Sequence, residues 1–249
     1  MRATLHSVPW ERTWLWWGDE RYVTRADELS NARIAETELL DGAPGGGLRV
    51  PRTQVHHIPT DEMLAAGGDA AACAAAYADA LAAELAAGPD GWPVFDLVLL
   101  GIGSDGHLLS CFPESAAFDA PTWAVGVPAP THISPRVPRV TLNPAIVPAA
   151  RAILAMATGE GKATILAELF AGPRTPRRLP AQLALRASAT WVLDEAAALA
   201  GEGMSAIKLR LGYGSLAGDL SALDAVRACV PESTVVMVDY NQALTLDEA

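Results

Sequence analysis

The stretch Phe95-Asp96-Leu97-Val98-Leu99-Leu100-Gly101-Ile102-Gly103-Ser104-Asp105-Gly106-His107-Leu108-Leu109-Ser110-Cys111-Phe112-Pro113 decides how the chain is read. The run from Phe95 to Leu100 lacks the alternation of a strand with one wet face, so it reads as a buried strand of a parallel sheet. It empties into a loop with Gly101, Gly103 and Gly106, where the backbone can take left-handed angles and approach a ligand closely. His107 stands at the far edge of that loop. Ligands of open parallel sheets bind beyond the carboxyl ends of the strands, which is where such a loop lies.

Outward from this stretch, strands alternate with helices. Towards the N-terminus, strands are expected over 13–17 and 54–58. Ser30 is placed to cap a helix reaching Leu40. The Gly/Pro cluster 42–47 reads as a loop. Asp69 caps an alanine-rich helix in which Tyr77, Leu81 and Leu85 recur at helical spacing, ended by Gly88-Pro89. Towards the C-terminus, strands are expected over 122–127, 139–142, 151–158 and 190–193. Asn143-Pro144 suits a helix start, a helix follows Gly159-Glu160-Gly161-Lys162 as far as Phe170, and Asp194 caps another toward Ala200. The alternation argues for an α/β three-layer sandwich around a mostly parallel, Rossmann-like sheet. Beyond Gly201 a strand (206–211), a helix (216–229) and a strand (234–239) make one βαβ unit, so a domain boundary is expected near 200, dividing 1–200 from 201–249.

Composition narrows the class. The 249 residues are 51% apolar and 19% charged, enough for a sizeable core. A formal charge of −11 argues against nucleic acid or an anionic membrane as partner. An anionic small substrate then needs a few cations brought together locally. Cys73, Cys111 and Cys229 are widely spaced and fit buried hydrophobes of a reducing compartment. No apolar run approaches the ~20 residues that span a bilayer, and no secretory pattern opens the chain. A cytoplasmic protein is expected; oligomeric state leaves no mark in the sequence.

The loop admits three chemistries. Gly101-x-Gly103-x-x-Gly106 matches the dinucleotide fingerprint, but that motif needs a long helix straight after its third glycine, and Pro113 leaves room for at most about two turns. Ser104 invites comparison with a nucleophile elbow, yet Ile102 occupies the first glycine of G-x-S-x-G and no histidine follows His132. The third makes His107 a general base, since an imidazole titrating near neutrality takes a proton from water and returns it. Asp105 would hold that ring in one tautomer, and backbone N–H groups of the glycine loop would steady an oxyanion. His56 and His57, on opposite faces of a strand, make a poor metal pair.

In its surroundings the loop resembles a known family. Gly101 to Pro113 is similar to the G-x-G-x-D-G-H-x-A-S-L-F-P signature of 6-phosphogluconolactonases, with Leu109 and Cys111 replacing Ala and Leu. Trp17-Gly18-Asp19-Glu20-Arg21-Tyr22-Val23 with Ser30-Asn31 resembles the W-x-D-E-R-x-V…S-N block of that family. Arg139-Val140-Thr141-Leu142, Thr158-Gly159-Glu160-Gly161-Lys162-Ala163, Leu179-Pro180-Ala181 and Trp191-Val192-Leu193-Asp194 follow in the family's order. The likeness covers about residues 10–200.

The resemblance implies hydrolysis of 6-phosphogluconolactone to 6-phosphogluconate in the pentose phosphate pathway, without metal or cofactor. By it, His107 activates water and then protonates the departing ring oxygen, with Asp105 behind it. Arg21 and Lys162 meet the phosphate, with Arg139 beside them, and Gly103 and Gly106 line the substrate. A dianionic phosphate in an acidic chain needs such fixed cations. Two other readings stay open: a non-catalytic remnant that binds sugar phosphates, and a sugar-phosphate isomerase or deaminase such as the glucosamine-6-phosphate enzymes. The family precedes the W-x-D-E-R block with a helix, a strand and a Gly-Gly-x-Thr loop, whereas Met1–Pro9 alone stand there, so an N-terminally truncated domain with impaired activity is expected. The segment 201–249, with Lys208, Arg210 and Asp239, resembles a fragment of a mandelate racemase-type barrel of the enolase superfamily, too incomplete to hold Mg²⁺.

Overall fold

The computed structural model describes residues 8–40, 47–194, 206–210 and 235–239. Strand β1 (Leu15–Trp16) and strand β2 (Asp19–Arg21) bracket Gly18. Helix α1 (Asn31–Ala35) follows, its cap Ser30 accepting from the Arg33 N–H, and it widens into a π turn over Glu36–Leu40. Then come β3 (Val55–His56), α2 (Thr60–Ala65), which had no counterpart in the sequence reading, and α3 (Ala70–Glu84). The middle of the chain supplies β4 (Leu97–Gly101), β5 (Ala124–Val127) and β6 (Arg139–Leu142). It closes with α4 (Ile146–Ala149), β7 (Ala152–Ala157), α5 (Ala163–Ala171) and β8 (Ala189–Leu193). Asn143 starts α4 from one turn upstream, accepting at Oδ1 from the Ala145 N–H at 3.0 Å.

The strands form an α/β fold with two three-stranded sheets, one of them parallel in the order β4-β7-β8. A second parallel pair joins β1 to β3, and β2-β6-β5 is antiparallel. Among the described residues no strand bridges β1 to β4, so β1-β3 and β4-β7-β8 stand as two separate parallel groups.

The expected two-sided burial of 95–100 is corrected here. Val98 and Leu100 are buried, but Leu97 and Leu99 are 53% and 58% exposed. On the same face stand Met156 of β7, opposite Gly101, and its neighbour Val192 of β8, both also exposed. The opposite face carries the core: Val98, Leu100, Ile153 and Ala155 pack with Leu166 and Leu169 of α5. Continuous apolarity therefore records one helix-covered face and one apolar face left uncovered among the described residues.

A second core gathers around α3. Its buried Cys73, Ala74, Tyr77 and Leu81 fall on one stripe at helical spacing and pack with Val140, Leu142 and Ile146. Each large apolar side chain sealed this way stabilises the fold by roughly 1.5–3 kcal/mol. Asp69 caps α3 by accepting from the Ala72 N–H at 2.8 Å. The Tyr77 hydroxyl donates to the Trp17 carbonyl, tying α3 to the β1–β2 corner. Burial pushes the Cys73 and Cys111 thiols up to about 12, so both are inert packing groups.

The expected helix beyond Asp194 lies outside the described residues; the Asp194 carboxylate, which is described, accepts from the Gly159 N–H at 2.8 Å. In the tail, β9 (Ala206–Arg210) and β10 (Val235–Asp239) pair in parallel. The expected helix 216–229 lies outside the described residues.

Candidate active site

Strand β4 delivers its chain into the glycine loop, and the loop folds on itself. The Gly103 N–H donates to the His107 carbonyl at 2.8 Å, and the Gly106 N–H donates to the Gly103 carbonyl at 3.1 Å. Both amides are thus used inside the loop. What the glycines supply is room. A Cβ on Gly103 would sit 2.0 Å from Nδ1 of His107 and 2.7 Å from Oδ1 of Asp105. Gly106 holds a φ of +81° and backs onto Leu179. No helix starts directly after Gly106, where the dinucleotide reading needs one, so that reading loses its structural basis.

The tight loop brings Asp105 and His107 together. Oδ1 of Asp105 lies 2.5 Å from Nδ1 of His107 and accepts from the His107 N–H at 3.1 Å. Oδ2 of Asp105 lies 2.7 Å from Nε2 of His132, a residue the sequence reading passed over because its contact spans 27 positions. Burial opposes ionisation of Asp105, but the hydrogen bonds to His107 and His132 outweigh it and hold the carboxyl well below the usual carboxylate range. An ionised Asp105 fixes the Nδ1–H tautomer of His107, which leaves Nε2 with a lone pair.

His107 opens onto a cavity of about 370 Å³ lined also by Gly103, Arg21, Arg139 and Lys162. Asp105 and Gly106 stand behind its wall. The cations arrive from different elements. Arg21 and Arg139 are directly opposed in the antiparallel β2–β6 register, and Lys162 occupies the N-cap position of α5. Arg139 is only 4% exposed. Each arginine has one carbonyl partner, Leu29 for Arg21 and Pro135 for Arg139, while Nε of each is buried without a partner. Burial and the neighbouring Arg21 charge both lower the pKa of Arg139. Two like charges face to face, each with an unused donor, repel unless an anion lies between them.

Glu20 and Asp19, given no role by the sequence reading, build the wall that presents Arg21. Glu20 is buried, and its carboxylate accepts from the N–H groups of Arg21, Asn31 and Ala32 and from the Ser30 hydroxyl, at 2.7–3.0 Å. It joins β2 to the start of α1 instead of pairing with the Arg21 guanidinium. Asp19 accepts from the Ser110 hydroxyl at 2.5 Å, linking β2 to the segment that follows the glycine loop. The signal was present in the joint occurrence of D-E-R and S-N, which is a contact between two short motifs. His56 stacks on Trp16 and His57 lies 2.9 Å from Glu36, so neither faces the cavity. Among the described residues no cluster of three or more His, Cys, Asp or Glu is placed to hold a metal ion.

Known proteins share this arrangement of sequence and fold. A family profile described as glucosamine-6-phosphate isomerases/6-phosphogluconolactonase matches residues 1–193. The 6-phosphogluconolactonase of Streptomyces coelicolor is 36% identical over 196 residues, covering 77% of this chain and 71% of that protein. That of Mycobacterium tuberculosis is 35% identical over 200 residues, covering 80% and 77%. The solved 6-phosphogluconolactonase of Trypanosoma cruzi superposes with a TM-score of 0.64 at 27% identity, covering 79% of this chain and 77% of that one. With the profile spanning most of its length and relatives above 30% identity matching it over most of theirs, the chain belongs to the glucosamine-6-phosphate isomerase/6-phosphogluconolactonase family.

Proposed function

We propose that the chain hydrolyses 6-phosphogluconolactone to 6-phosphogluconate, the lactonase step of the pentose phosphate pathway, with His107 as its base. The observation that carries this reading is the His107–Asp105 pair opening onto a cavity walled by Arg21, Arg139 and Lys162. The relatives named above are lactonases, which favours ester hydrolysis over the isomerase and deaminase chemistry of the wider family. Residues 1–200 are read as the catalytic domain, and 201–249 as a separate unit whose parallel β9–β10 pair fits a barrel fragment.

In this mechanism the substrate phosphate lies between the Arg21 and Arg139 guanidinium groups and the Lys162 ammonium. Nε2 of His107 takes a proton from a water molecule as the oxygen of that water attacks the lactone carbonyl. Asp105 stabilises the imidazolium that forms. The tetrahedral intermediate collapses by breaking the bond to the ring oxygen, and the imidazolium returns its proton to that oxygen. The product is an open-chain hydroxy acid, which ionises in solution, and the base is left as it began. A single imidazole serves both proton transfers, so neither redox chemistry nor an external acid enters the balance.

Lactones of this kind also open spontaneously, so the test is the rate above background. His107→Ala should lower kcat/KM by about 10²–10⁴-fold, the span of general acid–base catalysis. Enzymatic hydrolysis unchanged in His107→Ala would overturn the assignment.

A further inference from the structure

We infer that His132 is a positioning residue for this reaction, holding Asp105 from behind and through it fixing the His107 base; the inference rests on the lactonase reading above. Asp105 has two carboxylate oxygens and each is committed to a different imidazole, Oδ1 to Nδ1 of His107 at 2.5 Å and Oδ2 to Nε2 of His132 at 2.7 Å. Phe112 packs against both rings, its centroid 4.8 Å from that of His107 and 5.6 Å, edge-on, from that of His132. The carboxylate is therefore gripped on both oxygens while one phenyl ring fixes the spacing of its partners. His132 sits between β5 and β6, 47% exposed, and is not part of the cavity wall, so it acts through Asp105 and not on substrate.

The direction of the effect follows from charge. An ionised carboxylate only accepts, so the His132 nitrogen facing it is a donor whether that ring is neutral or protonated. In either state it draws negative charge on Asp105 away from His107, which makes the imidazolium of His107 easier to deprotonate. Removing His132 leaves the full carboxylate charge to His107 and frees Asp105 to rotate. The other charged groups facing His107 across the cavity are Asp19, Arg21, Arg139 and Lys162, and Arg139 also lies over Phe112 at 5.9 Å. All of them are unchanged between wild type and a His132 variant, so a difference in pH profile between the two reports His132 itself.

The experiment is a kcat/KM–pH profile of the full chain with wild type, His132→Ala and His132→Gln. It is paired with an NMR titration of the His107 ring in the absence of substrate. In His132→Ala the acid limb should move up by about 0.5–1 pH unit, and kcat should fall roughly 3–10-fold with KM changed less than twofold. The His107 titration should move in the same direction. His132→Gln, which places an amide donor near the same oxygen, should restore most of kcat. An acid limb and a His107 titration that stay put in both variants would overturn the inference, as would a loss in KM alone. If His132→Ala fails to fold, His132→Phe, which keeps a ring beside Phe112 but offers Asp105 no donor, decides: its acid limb and kcat should move as predicted for Ala, and values equal to wild type would overturn the inference. Activity insensitive to His107 would instead sink the lactonase reading, and the NMR titration would still report whether His132 reaches His107 through Asp105.

Discussion

Gly103 shows how closely the His107–Asp105 pair depends on the absence of one methyl group. A Cβ there would fall 2.0 Å from Nδ1 of His107 and 2.7 Å from Asp105, inside any contact distance. The imidazole, as the end of a rotatable side chain, yields before the backbone does. Gly103→Ala should therefore leave the melting temperature within a few degrees of wild type while kcat falls about 10²-fold, the cost of misplacing a base by roughly 1 Å. Kinetics and a thermal melt on one preparation check both halves, and a fully active variant would show that the ring has another resting place. Of this site, the sequence made His107, Asp105 and the three cations legible because each lies in a short motif. It could not show that the Gly103 and Gly106 amides are spent on the loop, nor that His132 reaches Asp105. Both depend on where the chain turns back, which no local spacing encodes.

At the scale of elements, the strands were legible to within a residue or two wherever β-branched or apolar runs ended in glycine or proline, and β6 matches its expected bounds at 139–142. The short helix α2, only six residues, was missed between the stronger signals of β3 and α3. The exposure of Leu97 and Leu99 was not legible either, because an apolar run reads the same with one face covered as with two. Packing between elements also explains a residue that the sequence left silent. A Cβ on Gly126 of β5 would lie 2.6 Å from the backbone of Ala70 and Ala71, so the first turn of α3 rests directly on that strand. Backbone cannot yield as a side-chain tip does. Gly126→Ala should force α3 off β5 and cost about 1–3 kcal/mol of stability, the usual penalty of overpacking. Denaturant unfolding measures this as a lower midpoint at unchanged slope, and a midpoint equal to wild type would mean that α3 slides freely.

For the whole molecule the governing fact is the conflict between a net charge of −11 and a cavity walled by two arginines and a lysine. Long-range charge pushes an anionic substrate away, screened beyond roughly 8 Å at physiological salt, and only the local cations draw it in. Those cations are held against their own interest. Arg139 is buried with an unused Nε and faces Arg21 across the β2–β6 ladder, an arrangement that destabilises the empty protein. An anion binding there relieves repulsion and satisfies both donors together. 6-Phosphogluconate should accordingly stabilise the protein, by about 2.7 kcal/mol at a hundredfold excess over its Kd, and gluconate, lacking the phosphate, should do far less. The sharper consequence is in Arg139→Met, which replaces a buried cation with an apolar chain of similar length. Its unliganded stability should equal or exceed wild type, since repulsion is removed, while the shift with 6-phosphogluconate should largely vanish. Thermal melts of both proteins with and without each ligand, repeated at raised salt, make the comparison. A variant that is less stable alone yet keeps its full ligand shift would place the phosphate elsewhere and return Arg139 to a purely structural role.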